Sequence, residues 1–301
     1  MWLNKVSRCK KKKNTVDKIT AYSANCFKGL TCTPREDRVQ FAVAMMHGLN
    51  TCLLFYLLTW LGQNAIGSEI INGTKVPENS MLFMASVQND YGHVCGGFLV
   101  SEDFVLTAAH CDDMDLSRVV LGTHDLKRVD DNTIRRIEKK CKHPSYETVS
   151  SGHDIMLLKL SKKAQLNKKV KPIGLPKTGK EIKDNQICRV AGWGSTKSGG
   201  NSIVDLQVVK VPIINLNACK KQWEEVRINL PANIICAGGY QTENGFCQGD
   251  SGGPLVCNRM AVGVVSFNMG RNCDYPNVPN VYTDISKYLP WITSILKEKK
   301  C

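Results

Sequence analysis

Three absences narrow the reading of this chain before any motif is considered. None of its fourteen cysteines stands in a CxxC pair, which removes the spacing of zinc knuckles and of thioredoxin-type redox sites. So many cysteines are rare in a reduced cytosolic protein, and disulfides formed in an oxidising compartment are their expected use. The apolar run Cys52–Gly62 (CLLFYLLTWLG) has eleven residues, too few to cross a bilayer and the right size for the apolar core of a signal peptide. No histidine follows His153, the last of six, so a base serving any group in the C-terminal half has to come from upstream.

What is present fits an exported globular protein. The 301 residues are 43% apolar and 22% charged, enough for one large domain or two small ones with real cores. Ala65-Ile66-Gly67 places small residues where signal peptidase reads, with Met45 or Met46 as the initiator. The chain then divides into an upstream extension, unstructured or untranslated (1–44), a signal peptide (45–67), the dipeptide Ser68-Glu69 and a mature domain (70–301). A cytoplasmic tail on a membrane-anchored protein is the alternative for residues 1–44. No stable membrane insertion is expected of the mature domain.

The charge is unevenly placed. Residues 1–44 hold ten Lys/Arg and three Asp/Glu, and Glu69 adds one acid. From Ile70 onward 30 bases (40 less 10) face 23 acids (27 less 4), a net of +7 within the whole chain's +13. Arg135, Arg136, Lys139, Lys140, Lys142 and then Lys162, Lys163, Lys168, Lys169, Lys171 form clusters suited to a polyanion such as a sulfated proteoglycan, although most charge runs are solvated faces. Nucleic acid is not expected, since no nucleic-acid module is recognisable.

From Phe83 the chain reads as short β runs between Gly, Asp, Asn and Pro clusters. The first group is 83–88, 93–100, 104–110, 119–122, 134–141 and 154–160; the second is 188–194, 206–213, 234–238, 254–257, 261–267 and 280–285. Two sets of six predict an all-β protein of two barrels or sandwiches, joined by the Pro/Lys-rich stretch 171–184. Only the tail, about 289–299, reads as helix, with Trp291, Ile292, Ile295 and Leu296 on one side.

The segment GFCQGDSGGPL (Gly245–Leu255) presents a candidate nucleophile, Ser251. Alone, GDSGG is compatible with a plain turn. It also fits the G-x-S-x-G elbow of α/β hydrolases, but that arrangement needs a histidine after the serine, and none follows. Upstream, His110 ends the apolar run of LTAAHC beside Cys111, whereas His93, His124, His143 and His153 lie in polar turns and read as surface imidazoles. Asp154 opens DIMLLKL, a carboxylate at the edge of an apolar strand able to orient an imidazole. The order is His110, Asp154, Ser251.

Together IINGTKVPENSMLFMASVQ, CGGFLVSEDFVLTAAHC, DIMLLKL, CRVAGWG, CQGDSGGPLVC, VVSF and NVYTDISKYLPWI resemble the chymotrypsin-family serine proteases over Ile70 to about Lys297. The resemblance implies two six-stranded antiparallel Greek-key barrels, about 70–175 and 185–285, with a cleft between them and a C-terminal helix. It implies a serine endopeptidase acting on protein and peptide substrates without a cofactor or metal. In it Ser251 attacks, His110 moves the proton, Asp154 orients His110, and the N–H groups of Gly249 and Ser251 form the oxyanion hole. Ser266 would support Asp154 and begin the strand along which substrate pairs. The new N-terminus at Ile70 would pair with Asp250. Glu69 before Ile70 is no tryptic site, but removal of Ser68-Glu69 suits a dipeptidyl peptidase, as in the granzymes and mast-cell proteases of leukocyte secretory granules. The implied disulfides are Cys95–Cys111, Cys188–Cys257, Cys219–Cys236 and Cys247–Cys273. Cys141 and Cys301 remain, to pair with each other or to link two chains. Asn72-Gly73-Thr74 is a sequon whose occupancy is left open.

In this resemblance the specificity pocket is lined by Gly245, Phe246 and Gln248, by Ser266, Phe267 and Asn268, and by Asn280. Gly245 stands where tryptic members carry the Asp that pairs with substrate Lys or Arg. An unpaired cation there carries a desolvation cost of several kcal/mol, so tryptic specificity is not expected. Phe246, Asn268 and Asn280 should narrow the pocket and favour uncharged side chains such as Met, Leu or Asn over Trp. The competing reading is an inactive homologue acting as a cationic binding or antimicrobial protein, although such homologues usually lose the His or Ser that this chain keeps.

Overall fold

The computed structural model describes residues 70–179 and 182–301. The extension, the signal peptide and Ser68-Glu69 lie outside the described residues, as do Lys180 and Glu181 of the expected linker.

A two-residue strand, β1 (Thr74–Lys75), precedes two closed barrels of antiparallel strands. The first contains β2 (Met84–Asn89), β3 (Gly92–Leu99), β4 (Phe104–Thr107), β5 (Arg118–Leu121), β6 (Ile134–Lys142) and β7 (Met156–Leu160), closed in the order β2-β3-β4-β7-β6-β5. The second contains β8 (Ile187–Gly192), β9 (Gln207–Ile214), β10 (Ile234–Ala237), β11 (Pro254–Cys257), β12 (Met260–Phe267) and β13 (Val281–Asp284). Its order is β8-β9-β10-β13-β12-β11, with β11 pairing back to β8 and β1 lying along β9. Two closed six-stranded barrels are therefore the architecture, and closure leaves neither sheet an open edge.

Local sequence explains the walls. Along β9, Val209, Val211 and Ile213 are buried while Val208, Lys210 and Pro212 turn outward, a period of two that fits a strand with one face in the core. The four residues of β4 and of β11 are all buried, and their polar neighbours lie in the connecting turns. Phe98, Leu106, Leu157 and Leu158 anchor the first core; Val190, Val211, Leu255 and Tyr282 anchor the second.

One element departs from expectation. Leu216–Glu225 is an α-helix, α1, where only the tail was read as helical. Asn215 caps it, its side-chain oxygen accepting the N–H groups of Asn217 and Ala218, and Cys219 and Trp223, four residues apart, bury one face. The tail helix, α2 (Leu289–Glu298), carries Pro in its first turn and buries Ile292 and Ile295. These two join the core of the first barrel although they follow the second in sequence.

All four implied disulfides are present, and Cys141 pairs with Cys301, tying the end of the tail to β6. Bridges that close long loops restrict the unfolded chain, typically by about 2–4 kcal/mol each.

Candidate active site

His110 lies in the turn Ala109–Met114 that follows β4, and the Cys95–Cys111 bridge pins that turn to β3. Asp154 sits just before β7, fully buried. Its Oδ1 accepts the backbone N–H of His110 at 2.9 Å and its Oδ2 accepts Nδ1–H of the same residue at 2.8 Å. Ser266 Oγ donates to Oδ2 at 2.5 Å, and Thr283 Oγ1 donates to the Asp154 carbonyl at 2.8 Å. Burial by itself would raise the Asp154 carboxyl. The charge of His110 and the hydrogen bonds from His110 and Ser266 outweigh it and hold the group below the usual carboxylate range. Burial would likewise lower the His110 imidazole, but the charge of Asp154 and its hydrogen bond raise it. With Nδ1–H given to Asp154, the other ring nitrogen, Nε2, keeps its lone pair.

Ser251 is tied to the strand that carries Cys95, its carbonyl accepting Gly96 N–H at 2.8 Å and lying 3.9 Å from the sulfur of Cys111, the residue after His110. Gly252 has φ +79°, and a Cβ there would stand 2.1 Å from Thr107 Oγ1, so only glycine lets the turn approach β4 this closely. Gly249 has φ +96°. Among the described residues, neither the Gly249 nor the Ser251 N–H has a protein acceptor. These are two free donors on one tight turn.

Asp250 points the other way, into the second barrel. Its carboxylate accepts the N–H of Gly194 at 2.8 Å and of Cys247 at 2.9 Å. A Cβ on Gly192 or Gly194 would collide with that carboxylate, which accounts for both glycines of AGWG. Among the described residues no cation pairs with it, and burial pushes its pKa up to about 7 despite the two backbone donors. Ile70 is fully buried in the apolar cluster that also holds Phe246 and Tyr282.

Several residues stand where the sequence did not put them. His93 lies in β3, within the run 93–100 expected to be a strand, but it is no surface imidazole: Nε2–H donates to the Gly249 carbonyl at 2.9 Å and Nδ1 accepts from Ser86 Oγ at 2.8 Å. It thus braces the turn that carries Ser251. His143 and His153 stack on each other with ring centroids 4.9 Å apart and pack against Tyr288, while His124 is half-buried. The signal for His93 was its place two residues before a buried cysteine in a GHVCGG strand, masked by flanking glycines.

Burial lowers the His93 pKa to about 4, so the unfolded chain takes up this proton before the folded one does. Stability is full above the ordinary histidine value of 6.5 and falls as pH drops toward 4, with about 3 kcal/mol at stake from His93 alone. His124 and His143 are also held low by burial and add to the same fall. The expected result is a steeper loss of urea-unfolding stability between pH 7 and 4 in the wild type than in His93→Gln. Equal slopes would contradict a neutral, partly buried His93.

The pocket residues also differ from expectation. Phe246 does not contribute its ring to the wall: the ring is buried edge-on against Tyr282, with centroids 5.3 Å apart. Phe267 packs edge-on against Trp223 of α1, and Gln248 Oε1 lies 3.2 and 3.4 Å from the sulfurs of the Cys247–Cys273 bridge. Asn268 and Asn280 turn their amides toward one another through Tyr275, a residue outside the expected pocket lining. A Cβ on Gly245 would stand 2.3 Å from the Tyr275 ring and 2.5 Å from Asn280 Oδ1. Gly245 therefore makes room for a ring, and an aspartate there would not fit.

Two closed barrels carrying an oriented His–Asp pair beside a serine on a glycine-bracketed turn define a protein of the serine hydrolase class. The family profile described as Trypsin matches residues 70–292, and the chain belongs to that family and is a serine endopeptidase. It is 38% identical to Granzyme-like protein 2 of Rattus norvegicus over 248 residues, covering 81% of this chain and 96% of that one. It is 38% identical to Duodenase-1 of Bos taurus over 252 residues, 82% and 97% of the two chains. It is 37% identical to Granzyme F of Mus musculus over 251 residues, 81% and 98%. Among solved structures it resembles neuropsin, a serine protease expressed in the limbic system of mouse brain. That match has a TM-score of 0.67 and 33% identity and covers 74% of this chain and 98% of that one.

Proposed function

We propose that the protein is a secreted or granule-stored endopeptidase made as a zymogen, with Ser251 as nucleophile and a preference for uncharged residues before the scissile bond. The observation that carries the catalytic assignment is the convergence of His110 N–H, His110 Nδ1–H and Ser266 Oγ–H on the buried Asp154 carboxylate. In the first step Ser251 Oγ bonds to the substrate carbonyl carbon while its proton passes to His110 Nε2. The developing oxyanion accepts the free N–H groups of Gly249 and Ser251, where one such donor is worth about a hundredfold or more in rate. His110 then returns the proton to the leaving amine as the peptide C–N bond breaks, leaving an acyl-enzyme. Water, deprotonated by the same imidazole, hydrolyses the ester and restores Ser251. An inactive binding protein has no evident use for this retained constellation.

Removal of Ser68-Glu69 by a dipeptidyl peptidase would free the Ile70 ammonium to pair with Asp250, the buried carboxylate that has only neutral donors in the described structure. The relatives named as granzymes support granule storage. A sulfated proteoglycan is the proposed storage partner, because Arg118, Arg135, Arg136, Lys162 and Lys163 line one groove of about 630 Å³, outnumbering the Asp90 and Asp131 carboxylates there. Lys140 and Lys142 instead both pair with Asp112.

For specificity, the expected result in a side-by-side peptide panel is a kcat/KM for Lys or Arg at least roughly tenfold below that for neutral residues, since none of the residues assigned to the pocket is an acid. A preference for Arg would place an acid there that this assignment lacks, with Glu243 the first suspect.

A further inference from the structure

The loop after Cys273 turns back toward the segment that precedes Ser251. Within it, Tyr275 Oη donates to the carbonyl of Phe246 at 2.6 Å and accepts the side-chain amides of Asn280 at 2.8 Å and Asn268 at 3.1 Å. Its ring lies against Gly245, where even a single added carbon would have no room. The three partners belong to the three walls assigned to the specificity pocket: the segment before the nucleophile, the end of β12, and the residue preceding β13. Tyr275 thus reaches all three at once. Asn280 is fully buried and Phe246 nearly so, while Tyr275 remains partly exposed, as expected of a side chain whose tip is held inside and whose near face borders the cleft.

We propose that Tyr275 is a built-in plug that fills the deep part of the specificity pocket, so that the enzyme cleaves after short, uncharged residues such as Ala or Ser and excludes long ones. This deepens the specificity reading above and rests on it. It also departs from the preference for Met, Leu or Asn over Trp drawn from the sequence, which rests on Gly245, Phe246, Asn268 and Asn280 without Tyr275.

The plug acts by displacement. A long side chain entering beneath Asn268 must occupy the volume of the Tyr275 ring. It must also leave the Phe246 carbonyl and the Asn280 amide, both buried, without their partner, because an apolar substrate chain can replace neither bond. A methyl or hydroxymethyl group stops short of the ring and disturbs nothing. Since a single methylene misfit already changes kcat/KM by roughly 10–200-fold, a phenyl or butyl-ammonium group should be rejected more strongly still. Gly245 and Tyr275 are then one device: a glycine where an acid would recruit a cation, and a ring in the space that the missing side chain leaves.

The test uses the form beginning at Ile70, since both barrels, the tail helix and its disulfide close within Ile70–Cys301. Peptides differing only in the residue before the scissile bond are compared for the wild type, Tyr275→Ala and Tyr275→Phe. The expected wild type favours Ala over Phe by roughly a hundredfold or more in kcat/KM. Tyr275→Ala should reverse that order, and Tyr275→Phe, which keeps the ring, should retain it. A fluorophosphonate that labels Ser251 without occupying the pocket checks the catalytic machinery in each variant. Labelled wild type that cleaves after Phe as fast as after Ala would overturn the plug and leave the protease reading intact. Absence of labelling would overturn the protease reading. In that case the plug is read by binding of indole, an aromatic probe: it should bind Tyr275→Ala and not the wild type. Binding to both, or to neither, would overturn it.

Discussion

A form of the protein beginning at Ser68 is expected to be inactive, a form beginning at Ile70 active at once, and Asp250→Asn in the Ile70 form should lose roughly a hundredfold to a thousandfold in kcat/KM with its His110–Asp154 pair undisturbed. The reason lies in the environment of Asp250. Its carboxylate is fully buried with two backbone N–H donors and no cation among the described residues, and burial raises its pKa to about 7. A raised carboxyl binds its proton more tightly folded than unfolded. The penalty is therefore absent below the ordinary value near 4 and grows as pH rises through about 7, reaching about 4 kcal/mol. That matches the 3–5 kcal/mol generally attached to an unpaired buried charge. The Ile70 ammonium would offset it, holding Asp250 and with it the neighbouring Gly249 and Ser251 N–H groups.

The same reasoning predicts opposite stability effects for one substitution. In the Ser68 form, Asp250→Asn removes an unpaired acid and should leave stability above pH 7 unchanged or higher. In the Ile70 form it strands the new ammonium and should lower stability. Urea unfolding of the four proteins at pH 8 measures this. Equal activity of the Ser68 and Ile70 forms, or the same sign of stability change in both, would remove the switch.

The barrels were legible because their strands are short, apolar on at least one face and bounded by turn residues, as β9 and β11 illustrate. The His110, Asp154 and Ser251 positions were legible because each sits in a local pattern tied to a strand end. α1 was not, because Lys220, Lys221, Glu224 and Glu225 dilute its two buried positions, leaving the Asn215 cap as its strongest local mark. Cys141–Cys301 was left open, since pairing across 160 residues depends on the tail helix folding back onto the first barrel. The strand of His93 was legible but its role was not, because its contacts with Ser86 and the Gly249 carbonyl cross between separate elements. Tyr275 was hidden for a deeper reason. In NCDYPNVPN it reads as loop, and its function arises only from a contact with Phe246, 29 residues away, that no periodicity encodes.

The central claim is that Ser251, activated by His110 and Asp154, performs the hydrolysis. Triad loss removes on the order of a millionfold in turnover when the members act as a unit. The most direct measurement is hydrolysis of a peptide ending in Ala before the scissile bond, by the Ile70 form and its Ser251→Ala variant, with heparin retention recorded to show that the variant is folded. Turnover at background in Ser251→Ala with retention unchanged is the expected result; undiminished cleavage of that peptide by the variant would rule out Ser251 as the nucleophile.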